Sequence, residues 1–345
     1  MNLTQLILHR FDPEWIHDRV IDLGSLISRS PGLIKLISRW GAFQDARMAV
    51  QLGNLHFPNP IGLAAGFDKN GEIVPVLEAL GFGFVEVGTV TPRPQPGNPK
   101  PRLFRLKHEK GLINRMGFNN KGLDAMRASL QNQEHTIPVG VNIGKNKDTP
   151  IEDALEDYKS GIELTWDVAD YFCINISSPN TEQLRELQKG AYLKPLVAGI
   201  LAKRDHMAHL SGRHKQVWLK IAPDLTDEEL EEICMIALDA GIDALVVSNT
   251  TVQRSLLEVK WHQEAGGLSG NPLLELSNRM LAKSSRLLQG KLPLVGVGGI
   301  DCFEDIQEKI SLGASLVQLY TSLIYNGPGF IRRLKRDLSA SGGKN

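Results

Sequence analysis

The sequence predicts an α/β fold, a single (β/α)8 TIM barrel that follows a short N-terminal helical extension. From about residue 60, apolar runs alternate with helical patterns, and each run is nearly continuous in hydrophobicity, as in strands buried on both faces of a parallel sheet. A chain of 345 residues suits one such barrel. Strand number alone does not close a sheet, so a doubly wound sheet is the alternative. The eight predicted strands are residues 60–67, 82–90, 138–144, 171–178, 217–223, 244–250, 293–300 and 316–322.

The predicted domains are a helical extension (1–45), the barrel (46–338) and a small, polar tail (339–345) that we expect to be disordered. Asp12 and Pro13 are typical of an N-cap and a first helical residue, and Pro31 begins a second short helix. Both helices carry apolar stripes. They could cap the barrel, or lie at a membrane interface or on an apolar ligand. Within the barrel, Thr226 and Glu229 predict a capping box, and Gly241 ends that helix.

Composition excludes several functional classes. The formal net charge is zero, which argues against a broad nucleic-acid surface. The three cysteines are scattered, as expected for reduced thiols in a cytosolic protein, and no paired ligands suggest a metal site. No run reaches 18 apolar residues, and the N-terminus does not look like a secretory signal.

In a barrel, catalytic groups lie at the carboxyl ends of the strands. Here those ends carry small and polar residues: Ala64 to Lys69, Gly88-Thr89, Asn142, Asn175 and Ser248-Asn249-Thr250. The fifth strand carries Lys220 inside an apolar run, where an unpaired ammonium would cost several kcal/mol. A functional Lys220 is therefore favoured over one that extends to the surface at a strand end.

Two glycine-rich segments follow, at 266–270 and 297–299, and Tyr320-Thr321 ends the last strand. Loops after the seventh and eighth strands commonly bind phosphate in this fold, although such glycines can also mark tight turns. A phosphorylated planar cofactor beside a lysine suits flavin chemistry.

Four motifs resemble dihydroorotate dehydrogenases. They are the uncharged segment 175–181 (NISSPNT), 114–119 (NRMGFN), 88–98 (GTVTPRPQPGN) and 140–147 (GVNIGKNK). The N-terminal extension and a serine in segment 175–181 resemble the class 2 branch, which is quinone-dependent and membrane-associated. Soluble class 1 enzymes carry a cysteine base, and Cys173, the nearest cysteine here, lies upstream in the strand.

The resemblance implies FMN as cofactor and dihydroorotate as substrate, with Ser178 as the base that takes a proton from C5 while C6 delivers a hydride. Thr181 and Phe118 would flank the proton route, and His17, Arg102 and Tyr320 would line the polar end of a quinone tunnel. His17 could instead cap a helix, and Arg102 could pair with a surface carboxylate. The implied FMN contacts are Ala65, Gly66, Phe67, Asp68, Lys69, Thr89, Asn142, Asn175, Lys220, Ser248, Gly270, Gly299, Tyr320 and Thr321. The implied substrate contacts are Lys69, Asn114, Arg115, Met116, Gly117, Phe118, Asn175, Asn180, Asn249 and Thr250.

The resemblance further implies a monomer in pyrimidine (UMP) biosynthesis, held peripherally at the cytoplasmic face of a bacterial membrane. Three alternatives compete with it. They are a soluble fumarate- or NAD-linked dehydrogenase, a non-redox barrel in which Lys220 forms a Schiff base, and a non-enzymatic scaffold.

Overall fold

The computed structural model describes residues 11–41, 43–255 and 257–341, and it confirms the barrel. Eight parallel strands close in chain order, with the last pairing to the first, which excludes the doubly wound sheet. The strands are β3 (Ile61–Leu63), β4 (Phe84–Val90), β7 (Val139–Ile143), β8 (Tyr171–Asn175), β9 (Gln216–Ile221), β10 (Ala244–Val247), β12 (Leu294–Val297) and β13 (Ala314–Leu319). Most end earlier than predicted, because their last predicted residues lie in the loops that form the site.

The helices on the outside of the barrel separate consecutive strands. Thr226 and Glu229 form the predicted capping box, and Gly241 ends that helix in the left-handed conformation, with φ +83°. The helices are α1 (Pro13–Ser28), α2 (Pro31–Gly41), α3 (Val74–Leu80), α4 (Leu123–Gln131), α5 (Ala154–Leu164), α6 (Gly190–Ser211), α7 (Asp227–Ala240), α8 (Leu274–Leu288), α9 (Phe303–Ser311), α10 (Thr321–Asn326) and α11 (Phe330–Ser341).

Aromatic rings fill the lower part of the barrel interior. The Tyr171 and Trp218 rings stack with centroids 3.8 Å apart, and Phe84 packs edge-on against Phe57 at 5.2 Å. Neighbouring strands make room with glycine, since a Cβ at Gly62 would lie 2.3 Å from the Phe84 ring. This large-against-small packing leaves the carboxyl ends of the strands as the open end of the barrel.

Two small antiparallel sheets lie outside the predicted pattern. Strands β1 (Val50–Leu52) and β2 (Leu55–Phe57) form a hairpin that places Phe57 in the interior cluster. Strands β5 (Leu103–Leu106), β6 (Gly111–Asn114) and β11 (Gly267–Gly270) form a three-stranded sheet that brings Asn114 and Gly270 to the site. Their three- and four-residue lengths are too short for a sequence pattern to reveal.

The N-terminal helices begin where predicted. The Asp12 side chain accepts a hydrogen bond from the Trp15 amide, and Pro13 is the first helical residue of α1. The helix packs against the barrel through the buried Glu14 and through Gly24, where a Cβ would lie 2.7 Å from Ile73. No helix in the described ranges is long and apolar enough to span a membrane.

The predicted disordered tail needs a correction at its start. Helix α11 continues to Ser341, so the first three residues of the predicted tail are helical. Ser339 holds them in place, because its hydroxyl bonds to the Asp45 carboxylate and lies 3.2 Å from Arg47 Nη2. A long-range contact of this kind has no local sequence signal. Residues 342–345 lie outside the described residues.

Candidate active site

The strand ends surround a cavity at the open end of the barrel. The small sheet with β6 and β11 forms one wall. The predicted residues that line it are Ala65, Gly66, Lys69, Thr89, Asn114, Met116, Gly117, Phe118, Asn175, Ser178, Asn180, Lys220, Ser248, Asn249, Thr250, Gly270, Gly299, Tyr320 and Thr321.

Other predicted contacts lie outside that lining. The Asp68 carboxylate accepts hydrogen bonds from the amides of Glu72 and Ile73, at 2.8 and 2.9 Å. Burial raises its pKa to about 6, against the effect of those amides. Its side chain therefore orders a loop and faces away from the cavity. Arg115 likewise pairs with Glu264 and packs over the Phe104 ring, 4.7 Å from its centroid.

A buried network of amides supports the cavity floor. Asn142 lies one layer below the lining, and its Oδ1 accepts from Thr89 Oγ1 at 2.5 Å and from Asn175 Nδ2 at 3.2 Å. Asn175 Oδ1 in turn accepts from the Ser177 hydroxyl at 3.0 Å. Asn249 Nδ2 donates to that same hydroxyl at 2.9 Å. Each side chain is held by its neighbours, so the polar groups that face the cavity have set orientations.

Lys220 points into the barrel, as the functional prediction requires. Its side chain is 6% exposed, and Nζ lies 3.4 Å from Oε1 of Glu86, a residue of β4 that is fully buried. Glu86 was missed by sequence reasoning. The signal that could have found it is the one that revealed Lys220, namely a charged residue within an otherwise apolar strand.

Ser178 lies in the cavity wall and is 6% exposed. The backbone amide of Asn180 donates to the Ser178 Oγ at 3.2 Å. The side-chain Nδ2 of Asn180 donates to Asn114 Oδ1 at 3.2 Å. Cys173 is fully buried in β8. Burial, and then the nearby Glu86, raise the pKa of that thiol well above its usual value. The serine is therefore the accessible hydroxyl at this position, and the cysteine is inert.

Lys69 lies between the cavity and a second cleft beside α1. Its Nζ is 3.1 Å from His17 Nε2. Burial, and then the nearby Lys69 ammonium, lower the pKa of His17 well below 6.5. His17 is therefore neutral and accepts the lysine hydrogen. It does not cap α1, because Asp12 is the N-cap and His17 lies within the helix, so that alternative is wrong.

Three aromatic rings connect the second cleft to the cavity. His17 packs edge-on against Phe67 at 5.1 Å between centroids, and Phe67 packs edge-on against Tyr320 at 5.8 Å. Burial raises the pKa of Tyr320 to about 12, so its phenol stays protonated. The structure thus brings His17 and Tyr320 to the two ends of one contiguous ring series.

Arg102 lies under α1 and outside the lining of both cavities. Its guanidinium binds the buried Glu14, with Nη2 2.8 Å from Oε1. It also donates to the carbonyl oxygens of Pro96 and Asn98 at 2.6 and 2.7 Å. The alternative was that Arg102 pairs with a surface carboxylate. Arg102 does pair with a carboxylate, but that carboxylate is buried, so the expected location is wrong.

Several buried polar atoms suggest that a ligand completes the site. Ser322 Oγ, Gln318 Oε1 and Asn119 Oδ1 line the cavity and have no hydrogen-bond partner among the described residues. Buried polar atoms rarely stay unpaired in native proteins. The Ser322 hydroxyl can donate to a phosphate oxygen, whereas the two carboxamide oxygens can only accept from N–H or O–H groups of a ligand. Gly299, also in the lining, has φ +83°, and a Cβ there would lie 2.4 Å from Leu274 Cα.

Comparison with known proteins identifies the family. The sequence profile of dihydroorotate dehydrogenase matches residues 47–341. The chain belongs to the dihydroorotate dehydrogenase family. Members of this family depend on flavin, so the resemblance and the flavin chemistry predicted from the sequence are confirmed.

Bacterial relatives indicate the branch of the dihydroorotate dehydrogenase family. A dihydroorotate dehydrogenase (quinone) of Shewanella frigidimarina is 45% identical over 335 residues, which cover 97% of each chain. One of Vibrio parahaemolyticus is 50% identical over 290 residues, covering 84% of this chain and 86% of the relative. The chain therefore falls in the class 2 branch, as the serine and the N-terminal helices predicted.

Solved structures agree with the assignment to the dihydroorotate dehydrogenase family. The ligand-free dihydroorotate dehydrogenase of Eimeria tenella superposes with a TM-score of 0.86 at 39% identity, covering 96% of each chain. The Eimeria enzyme in complex with ferulenol gives a TM-score of 0.83 at 38% identity, covering 95% of this chain and 90% of that one.

Proposed function

We propose that this protein oxidises (S)-dihydroorotate to orotate in UMP biosynthesis, with FMN as its flavin and a membrane quinone as acceptor. The observation that carries this proposal is the polarity of the cavity. Two lysines, several carboxamides and hydroxyl groups line it, and none of the described lining residues is Asp or Glu. An anionic cyclic ureide and a phosphorylated cofactor both need cations and directional amide contacts.

FMN would be held between the barrel mouth and the loops after β12 and β13. Gly299 and Thr321 would hold its phosphate end. Thr321 begins α10, and the first amides of that helix have no partner within it. Ala65, Gly66 and Thr89 would lie against its ring, and Lys220 would face its pyrimidine edge. When bound, the flavin supplies the acceptor for the hydride that leaves C6 of the substrate.

Ser178 would accept the proton from C5 of the substrate. A serine hydroxyl is a weak base, so two further groups must assist it. The Asn180 amide, 3.2 Å from Oγ, stabilises negative charge that develops on this oxygen. Thr181 Oγ1 is buried with no partner among the described residues, which makes it available to a relay of protons. Phe118, at φ +55°, would shield this route from the cavity.

The dihydroorotate carboxylate would bind Lys69, while Asn114, Asn180 and Asn249 would contact the ureide ring. Orienting the substrate in this way supplies much of a rate enhancement by removing translational and rotational freedom before the reaction. In the second half-reaction, a quinone would enter through the cleft beside α1. His17 and Tyr320 would contact its polar end. Arg102 would hold α1, the helix that carries His17, in place through its ion pair with Glu14.

The exposed face of α1 and α2 would hold the protein, as a monomer, on the cytoplasmic face of the bacterial inner membrane. Leu26 and Leu36 are 66% and 64% exposed. So many exposed apolar side chains on the two N-terminal helices indicate contact with lipid. The large exposed apolar residues of this face are Phe11, Trp15, Val20, Leu23, Leu26, Leu33, Leu36 and Trp40.

Flotation with lipid vesicles tests the membrane contact. A triple variant Leu23→Ser, Leu26→Ser, Leu36→Ser should remain in the soluble fraction while the native protein floats. The matched control replaces Leu210 and Val259, 66% and 80% exposed elsewhere on the surface, and should float like the native protein. Flotation of the triple variant would refute this membrane surface.

Flavin absorbance tests the reaction. The purified protein should be yellow and should bleach on addition of dihydroorotate. Ser178→Ala should bind orotate nearly normally but reduce its flavin roughly 100-fold or more slowly. Ser177→Ala, which removes the neighbouring hydroxyl that contacts Asn249, should slow it far less. Lost orotate binding with a normal reduction rate would mean that Ser178 positions the substrate. A colourless protein that borohydride traps on Lys220 would favour the Schiff-base alternative.

A further inference from the structure

Glu86 is a fully buried carboxylate with three donors around it. Oε1 lies 3.4 Å from Lys220 Nζ and accepts from Asn142 Nδ2 at 2.8 Å, while Oε2 accepts from Gln318 Nε2 at 2.9 Å. It lies in the middle of β4, below the cavity lining. All three partners are charged or amide groups of other barrel strands, β7, β9 and β13, so the carboxylate is the centre of a polar layer under the site.

The pairing with Lys220 has an electrostatic consequence for anything bound above it. Both side chains are almost completely buried, so solvent screens their charges weakly. Lys220 lines the cavity, and Glu86 lies behind it. A ligand in the cavity therefore meets a lysine whose positive charge is partly balanced from below.

The hydrogen bond to Asn142 has a second, directional consequence. An ionised carboxylate only accepts hydrogen bonds, so the Asn142 amide must turn its Nδ2 towards Glu86. Its Oδ1 then faces upward, where it accepts from Thr89 and Asn175. Glu86 thus determines whether the oxygen or the nitrogen of each side-chain amide faces the next residue of the network. This effect extends as far as Asn175, which lines the cavity.

We propose that Glu86 is a positioning residue for the flavin reaction. It acts as the buried counter-ion of Lys220 and so sets the reduction potential of the bound flavin, and through Asn142 it orients Asn175 towards the ligands. This inference rests on the proposed function in one respect, the placement of the flavin beside Lys220. A flavin gains negative charge on reduction, so a carboxylate behind Lys220 makes reduction less favourable.

Two variants separate the charge from the hydrogen bond. Glu86→Gln removes the charge but keeps an acceptor for Asn142, whereas Glu86→Met removes both. In the flavin-loaded protein, Glu86→Gln should shift the reduction potential of the flavin to more positive values. The equilibrium constant for electron exchange with a reference dye should change by about 10-fold. The affinity of Glu86→Gln for orotate should stay near that of the native protein. Glu86→Met should show the potential shift and also bind orotate more weakly.

Three further variants complete the test. Lys220→Met should shift the potential in the negative direction, and the double variant with Glu86→Gln should lie between the two single variants. Asp243→Asn, a carboxylate-to-amide change beside Arg204 at the amino end of β10, should leave the potential unchanged.

A dye-coupled titration needs no dihydroorotate, so it can be interpreted even if the proposed substrate is wrong. An unchanged or more negative potential in Glu86→Gln, with only a lowered melting temperature, would show that Glu86 is merely structural and would overturn the proposal. So would normal orotate binding by Glu86→Met.

Discussion

The ion pair between Glu14 and Arg102 should control how firmly α1 is held on the barrel. Glu14 lies in the first turn of α1 and is 4% exposed. Arg102 reaches it with Nη2 at 2.8 Å and Nε at 3.2 Å, and Lys100 Nζ lies 3.1 Å from the same carboxylate. Few other residues of α1 are buried, so this pair is the main polar attachment that the structure describes for the helix.

Removing one partner of a buried pair costs about 3–5 kcal/mol, because the other charge stays buried without compensation. Glu14→Ala should therefore weaken the docking of α1 by about that amount. Glu14→Gln keeps neutral hydrogen bonds to Arg102 and should cost less, about 1–2 kcal/mol. Asp22→Asn is the control on the same helix. Its ion pair with Arg19 is about 60% exposed at both side chains, so its loss should cost at most about 1 kcal/mol.

Amide hydrogen exchange of α1 measures this directly. A loss of about 3 kcal/mol corresponds to roughly 100-fold faster exchange in Glu14→Ala, while the barrel strands should be unaffected. Quinone reduction should fall, and flavin reduction by dihydroorotate should persist. Native exchange rates in Glu14→Ala, or equal effects of Asp22→Asn, would refute the reasoning.

The same pair predicts a response to acid. Burial alone would raise the pKa of Glu14, but the hydrogen bonds from Arg102 and Lys100 dominate and lower it below 4.5. A carboxyl group with a lowered pKa in the folded state stabilises that state above its unfolded pKa. The contribution is therefore present above pH 4.5 and disappears as the pH falls through the folded value.

Two other lysines give testable pH dependences. Burial lowers the pKa of Lys69 to about 8, so kcat/KM for dihydroorotate should fall above pH 8 as its ammonium is lost, and Lys69→Arg should remove this decline. Burial lowers the pKa of Lys309 from 10.5 to about 7. Here the unfolded state binds more protons between those values, so the free energy of unfolding should rise with pH across that range. Chemical denaturation of Lys309→Met should lack this rise.

The sequence predicted the barrel and most of the cavity because both follow from local patterns. Continuous apolar runs predict buried parallel strands, and the residues that follow each run must lie at one end of a barrel. Asn175, Lys220 and Gly299 come together on that basis alone, although they belong to three different strand ends. Closure of the sheet did not follow from the number of strands, and it is shown by the pairing of the last strand with the first.

The features that were missed depend on contacts between distant segments. Arg102 pairs with Glu14, 88 residues earlier in the chain, and no local pattern links a loop arginine to a helix glutamate. The resemblance implied Asp68 as a cofactor contact, yet two backbone amides hold its carboxylate away from the cavity. Glu86 lies in the middle of a strand, so a search restricted to strand ends passes over it.

The different partners of the two cavity lysines suggest how the site distinguishes its two ligands. Lys69 contacts a neutral acceptor, His17, whereas Lys220 contacts the carboxylate of Glu86. An ammonium hydrogen-bonded to a neutral group keeps more of its charge for an incoming anion, while the charge of one beside a buried carboxylate is already partly balanced. The substrate carboxylate should therefore bind at the Lys69 side of the cavity. Lys220, whose charge is partly balanced by Glu86, is then better suited to adjust the reduction potential of a bound flavin than to bind an anion.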